Sequence, residues 1–294
     1  MLKALIQKFI GFDYAEQLWL SMEGANTHII RSGIRYFSFF TDAGNFGSNM
    51  GFTAFLFAVI GIYKSSKKLK TYYFAVSILS LYAMFISGTR GAVIVPMAGI
   101  MAYTVLTKNS KSLTLGAFLL LFIYVFFAHT YIGHSNQYIR RMRSAFKPTE
   151  DASFIVRLEN QKLLQEHLKG RWFGEGLGLS GVDNEKIAKR FTTAIPNDSW
   201  LVKIWVETGI VGLCLYLGIL ITIFIKCSII IMFKVKTKEI KGIFIGLLGG
   251  LFGLTLSSYG NPFYGQYPTH YIVYISLAII FNYNYFENQT SKIN

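Results

Sequence analysis

Seven long apolar blocks, separated by short charged turns, constrain this chain more than any other feature. They lie at about 47–63, 71–88, 91–107, 112–132, 208–232, 242–258 and 269–286. The shortest have about 17 residues, the lower limit for a helix that crosses a bilayer. A segment in lipid must satisfy its own backbone donors and acceptors, so each block reads as a helix. Charged residues make up only 15% of the 294, and 52% are hydrophobic. A soluble domain carries about a quarter charged residues. The chain is therefore read as an all-α polytopic membrane protein of about seven transmembrane helices.

The charges between the blocks set the orientation. Lys64, Lys67, Lys68 and Lys70 lie in the first turn, Lys108 and Lys111 in the third, and Lys234, Lys236, Lys238 and Lys241 in the fifth. Alternating spans put these three turns on one side, and lysine-rich short loops stay in the cytoplasm. Four divisions follow: an outer, interfacial segment 1–46, four spans over 47–133, a large outer loop 134–207, and three spans with a short cytoplasmic tail over 208–294. All nine arginines (Arg31, Arg35, Arg90, Arg140, Arg141, Arg143, Arg157, Arg171 and Arg190) then fall on the outer side. Lysine suffices to hold a loop, whereas a guanidinium offers a planar fork that matches a phosphate. This division suggests a site for an anionic, membrane-borne substrate.

Other classes fare poorly. The net charge of +14 would suit nucleic acid, but the cations sit between spans and not on one soluble face. No nucleotide-binding loop is present, and the glycines of 174–178 do not follow a strand. The five histidines show no metal-ligand spacing. Cys214 and Cys227 are about 20 Å apart along one helix and cannot pair. Residues 1–10 read as an interfacial helix and 154–170 as an amphipathic helix with Ile155, Leu158, Leu163, Leu164 and Leu168 on its apolar face. Gly246-x-x-x-Gly250 and Gly249-x-x-x-Gly253 read as helix packing, and Pro96 as a kink.

Two motifs carry chemistry. In Asp198-Ser199-Trp200 through Glu207-Thr208-Gly209-Ile210-Val211-Gly212 an aspartate opens a helix and a glutamate meets the lip of a span. Asp198 suits an N-cap. Glu207 calls for a basic partner from the arginine set, because a carboxylate there is costly alone. In Ser87-Gly88-Thr89-Arg90-Gly91 the bland reading is a turn with a snorkelling arginine. Its small neighbours leave the guanidinium open to a ligand.

Together these residues resemble the O-antigen ligase and O-antigen polymerase superfamily. Asp198 to Gly212 is similar to its polar motif followed by E-T-G-x-x-G, and Ser87 to Gly91 to its S-G-[ST]-R-G element. Arg35 to Gly47, with Phe39, Asp42, Asn45 and Phe46, is similar to the segment after its first outer loop. Arg157 and the run to Gly178 are similar to its large periplasmic loop. Many members place a histidine where this chain has Asp198, and members usually carry several more spans upstream. The resemblance implies a multi-pass protein of the bacterial inner membrane with its site on the periplasmic face. It implies metal-independent, inverting glycosyl transfer with no cofactor. The donor would be a glycan on undecaprenyl pyrophosphate. The acceptor would be another lipid-linked glycan, for a polymerase, or a lipid A core sugar, for a ligase; polymerase is favoured. Asp198 would be the base, Glu207 would orient an arginine, and Arg35, Arg90 and Arg157 would bind the pyrophosphate. The partners would be the bilayer and other proteins of polysaccharide export, with no nucleic acid. The alternative is a lipid-linked oligosaccharide flippase or transporter, which uses inverted repeats and broken helices that this reading does not find.

Overall fold

The computed structural model describes residues 1–24, 28–30, 33–146 and 152–293. Arg31 lies outside them. Twelve α-helices are described. Two short ones, α1 (Leu2–Phe9) and α2 (Tyr14–Trp19), precede a four-helix run of α3 (Ala43–Tyr63), α4 (Lys67–Ile86), α5 (Ile94–Thr107) and α6 (Ser110–His129). The connection to the last helices carries α7 (Gln137–Ser144) and α8 (Ala152–His167). Then come α9 (Trp200–Ile229), α10 (Lys238–Ser257), α11 (Thr269–Phe281) and α12 (Tyr283–Ile293). The strands described, Ile29–Ile30 and Gly33–Ile34, form one two-residue ladder.

Among the described residues, six helical segments are long and apolar enough to cross a membrane: α3, α4, Arg90–Thr107, α6, Trp200–Lys234 and α10. The seventh block differs from its expected bounds of 269–286. Helix α11 has 13 residues, about 20 Å of rise against a hydrocarbon core of about 30 Å. The chain turns at Asn282 and continues as α12, which is polar.

Helices α3 and α10 form the centre. They are 61% and 67% buried over their apolar windows, against 11–33% for the other four segments. Glycine explains why they approach so closely. A Cβ at Gly246 or Gly250 would meet Leu56 or Phe52 of α3. One at Gly249 or Gly253 would meet Phe55 of α3 or Val95 of α5. Both small-residue pairs therefore serve packing, the first against α3 and the second at the junction of α3 and α5. Pro96, expected inside a span, stands close to a helix start. It sits in the first turn of α5, after the 3₁₀ turn Arg90–Val93, where its missing N–H costs nothing.

The alternation of helices separates two ends. At one, Lys64 pairs with Glu239 at 2.5 Å and Lys108 lies 3.5 Å over the Phe233 ring. At the other, Arg35 meets the 87–89 turn and Arg90 meets α7. Helix α1 flanks this second end: Gln7 and Ser38 bond reciprocally, while Leu2, Ile6 and Phe9 are exposed. The amphipathic helix is less one-sided than its spacing suggests. Of its five marked positions, Leu164 and Leu168 are buried, with Ile195 and Val206, whereas Ile155, Leu158 and Leu163 are exposed.

Candidate active site

The arginine end opens into a cavity of about 1080 Å³. Thr89, Arg90 and Gly91 of the turn Ser87–Gly91 line it, and each residue of the turn has a job. Ser87 Oγ donates to Met84 O at 2.7 Å and accepts from Thr89 N at 3.2 Å, which closes the end of α4. Gly88 adopts φ +61 and lies beneath the side chains of Arg35 and Arg141. Thr89 Oγ1 donates to Ala43 O at 2.8 Å and accepts from Arg35 Nη2 at 3.0 Å. Arg90 Nη1 donates to Ser144 Oγ at 3.1 Å. The Gly91 carbonyl accepts from Ser257 Oγ at 2.9 Å. One turn thereby ties α3, α4, α7 and α10 together and fixes two guanidinium groups.

The start of α3 forms a second wall. Asp42 Oδ1 caps the helix, accepting from Gly44 N at 2.6 Å and Asn45 N at 2.9 Å. It also accepts from Asn261 Nδ2 at 3.2 Å. Asn45 donates to the Tyr267 carbonyl at 2.9 Å and accepts from Asn49 and Thr269. The segment Arg35–Gly47 and the aromatic loop 259–268 are thus joined by hydrogen bonds from Asp42 and Asn45.

Arg157 and Asp198 come from the long connection. Arg157 Nε stands 3.5 Å from Asp198 Oδ2, an ion pair without hydrogen-bond geometry. Both side chains are part exposed to the cavity. Asp198 does not cap α9, as its position suggests it should. The N-cap is Ser199, which makes no capping bond, and Asp198 turns to Arg157 instead. Beside it, both amide atoms of Asn197 are buried with no partner among the described residues.

Four of the five expected site residues, Arg35, Arg90, Arg157 and Asp198, line this single cavity. Glu207 does not. Its carboxylate accepts from Ser180 Oγ at 2.8 Å, and Ser180 is the residue in the wall. Among the described residues no ion pair joins Glu207 to the expected arginine; the bond to Ser180 holds its Oε1 one layer behind the cavity. Arg171, Arg190 and His167 gather instead on Glu175, whose side chain is 4% exposed.

The motif around Glu207 has a backbone explanation. Gly209 adopts φ 69, ψ −171 inside α9, a region that essentially only glycine enters. The helix breaks there and frees the Val206 and Glu207 carbonyls. Glu175 N and Gly176 N take those two acceptors at 2.9 and 3.0 Å, while Val211 N donates to Trp172 O at 3.3 Å. The glycine-rich segment 172–176 thereby satisfies these three displaced backbone groups. A Cβ at Gly209 would collide with the Trp172 carbonyl, and one at Gly174 with the Val206 carbonyl. The break is not legible in the sequence, because a single glycine inside an apolar run gives no periodicity signal.

The sequence reading missed Arg141. In Arg140-Arg141-Met142-Arg143 nothing but helical phase separates the three arginines. The structure turns Arg141 into the cavity. Burial, then the like charges of Arg35 and Arg90, lower its pKa to about 10. Arg35 is also lowered, mainly by burial; Asp42 opposes this and Arg90 adds to it. Cations crowded in a desolvated pocket are stabilised by an anion. Among the described residues, no three or more His, Cys, Asp or Glu side chains converge as metal ligands would.

No curated protein and no solved structure matches the chain. Residues 75–217 match the sequence model of the O-antigen ligase family. The matched stretch encloses the Ser87–Gly91 turn, Arg157, Asp198 and the broken helix, so over the residues that build the cavity this multi-pass membrane protein is similar to the O-antigen ligase family.

Proposed function

We propose that the protein polymerises undecaprenyl-pyrophosphate-linked oligosaccharide on the periplasmic face of the inner membrane. The observation that carries this reading is the convergence of Arg35, Arg90, Arg141 and Arg157 with Asp198 in one cavity. The acceptor hydroxyl oxygen attacks the anomeric carbon on the face opposite the pyrophosphate. A new glycosidic C–O bond forms, the C–O bond to pyrophosphate breaks, and the configuration inverts. Asp198 accepts the hydroxyl proton. The leaving pyrophosphate takes the bonding pair, and its charge develops against fixed guanidinium groups in a site of low dielectric. Those groups do the work that a metal does in other transferases. Glu207 acts at one remove, by holding Ser180 in the wall.

Polymerase is favoured over ligase because nothing in the chain points to a lipid A core acceptor. Deletion of the gene in its native host separates them. Loss of long chains, with single repeats still attached to their acceptor, supports a polymerase. Full-length chains accumulating on undecaprenyl pyrophosphate identify a ligase. The break at Gly209 is the one feature that favours transport. It lies at the arginine end of its segment, whereas a transporter places such breaks near the midplane. Retention of unpolymerised units on the cytoplasmic leaflet after deletion would identify a flippase.

A further inference from the structure

Behind the main cavity lies a smaller one, of about 260 Å³, where α6 meets α7. The two share Ser144 in their walls. Helical phase explains the separation. Arg140 and Arg143, three residues apart on α7, share a face. Both line the small pocket, and Arg141, on another face, lines the large one.

Arg143 is the informative residue. It is 8% exposed. Its Nη2 donates to Ile132 O at 2.6 Å and Thr130 Oγ1 at 3.3 Å, which staples the turn after α6. Its Nε is buried and has no partner among the described residues. No carboxylate pairs with Arg143 or Arg140 among those residues; Arg140 makes one long bond, Nη1 to His134 O at 3.5 Å. A buried guanidinium facing only neutral acceptors carries an uncompensated desolvation cost. A phosphate oxygen supplies both the charge and the acceptor.

The location narrows the source. Helix α6 is a candidate span and only 11% buried over its apolar window. Leu121, Phe122 and Val125 on it are exposed, as are Tyr131 and Ile132 just beyond its end. Such a surface is covered by acyl chains, with an aromatic residue at headgroup level. We propose that this pocket is a second anion site, which holds the phosphate of an anionic membrane phospholipid against the back of α7. Because Ser144 also receives Arg90, a lipid seated there braces the helix that positions Arg141.

The test is lipid retention by the full chain, purified in detergent and examined by native mass spectrometry. It is independent of transfer activity. Wild-type protein should retain one phosphatidylglycerol about tenfold more tightly than phosphatidylcholine. Arg140→Gln should remove that preference, the loss of about one charge-assisted contact. Arg140 is exposed and makes only that long bond, so the variant keeps the fold. Arg140→Lys should restore most of the preference. Equal retention of the two lipids, or an unchanged preference in Arg140→Gln, overturns the proposal. Displacement of the lipid by inorganic phosphate at tens of millimolar assigns the pocket to free phosphate and overturns the lipid source. Displacement by one equivalent of undecaprenyl pyrophosphate, lost again in Arg140→Gln, assigns it to the substrate and does the same.

Discussion

The two ends of the helix bundle carry similar positive charge and use it in opposite ways. At the lysine end the cations stand at helix ends and in short turns, with simple contacts where they make them: Lys64 on Glu239, Lys108 on an aromatic ring. Nothing there needs a particular side-chain geometry. At the arginine end the cations are embedded. Arg35 is held by Ser87 and Thr89, Arg90 by Ser144, and Arg157 beside Asp198. A point charge on a flexible stem is sufficient to anchor a loop, whereas a rigid fork is required to grip a ligand of fixed shape. Arginine and lysine thus mark two kinds of work, one positional and one chemical.

The strongest way to break this contrast is to remove the proposed base while keeping the charges. Asp198→Asn should cut turnover by about 10²–10⁴-fold, the range expected for loss of a general base. Donor affinity should stay nearly intact. The structure sharpens the variant, since Ser199 and not Asp198 is the N-cap of α9, so no cap is lost. The ion pair with Arg157 is long and part exposed, worth at most about 1 kcal/mol. Single-turnover rates on a purified lipid-linked donor decide the matter. A near-normal rate would leave Asp198 as a partner of Arg157 only, and Asp183, also in the wall, would become the next carboxylate to test.

The ends also differ in what their backbones tolerate. Gly209→Ala should destabilise the protein by about 3 kcal/mol or more, from strain at that φ/ψ and from collision with backbone atoms that cannot yield. At the lysine end a left-handed position, φ 52, is filled by Lys108 itself. Lys108→Gly there should change stability by no more than about 1 kcal/mol, with relief of αL strain set against added chain entropy. Thermal melts in one detergent compare the two directly. Equal melting temperatures would show that α9 is continuous in solution and that the segment 172–176 does not dock there.

These contrasts show how far the sequence can be read. Apolar runs and charge placement give the helices and the two ends, because lipid imposes both on the sequence. Motif order brings Arg35, Arg90, Arg157 and Asp198 into view. What stays hidden depends on phase or on backbone geometry. Whether Arg140, Arg141 or Arg143 faces the cavity turns on where α7 begins, and Asn136 as its cap sets that. Glu207 looks like a partner for arginine because its position beside a span is visible. Ser180, 27 residues away, is not. The break at Gly209 is written in the glycines of two distant segments that only the fold brings together.

The smallest effect concerns exchange of the two cations. Arg90→Lys keeps the charge and loses the fork, so the bond to Ser144 and a bidentate grip on pyrophosphate cannot both be made. Transfer should fall by about 10–100-fold, equivalent to one or two charge-assisted hydrogen bonds. The reverse exchange, Lys64→Arg, should leave transfer within about twofold, since its pair with Glu239 accepts either cation. Parallel initial rates on one donor preparation give the ratio of the two effects. If Lys64→Arg proves as damaging as Arg90→Lys, cation identity matters at both ends and the division of labour fails. If neither matters, the cavity works by charge alone, and the proposed grip on the leaving group reduces to electrostatic attraction without shape.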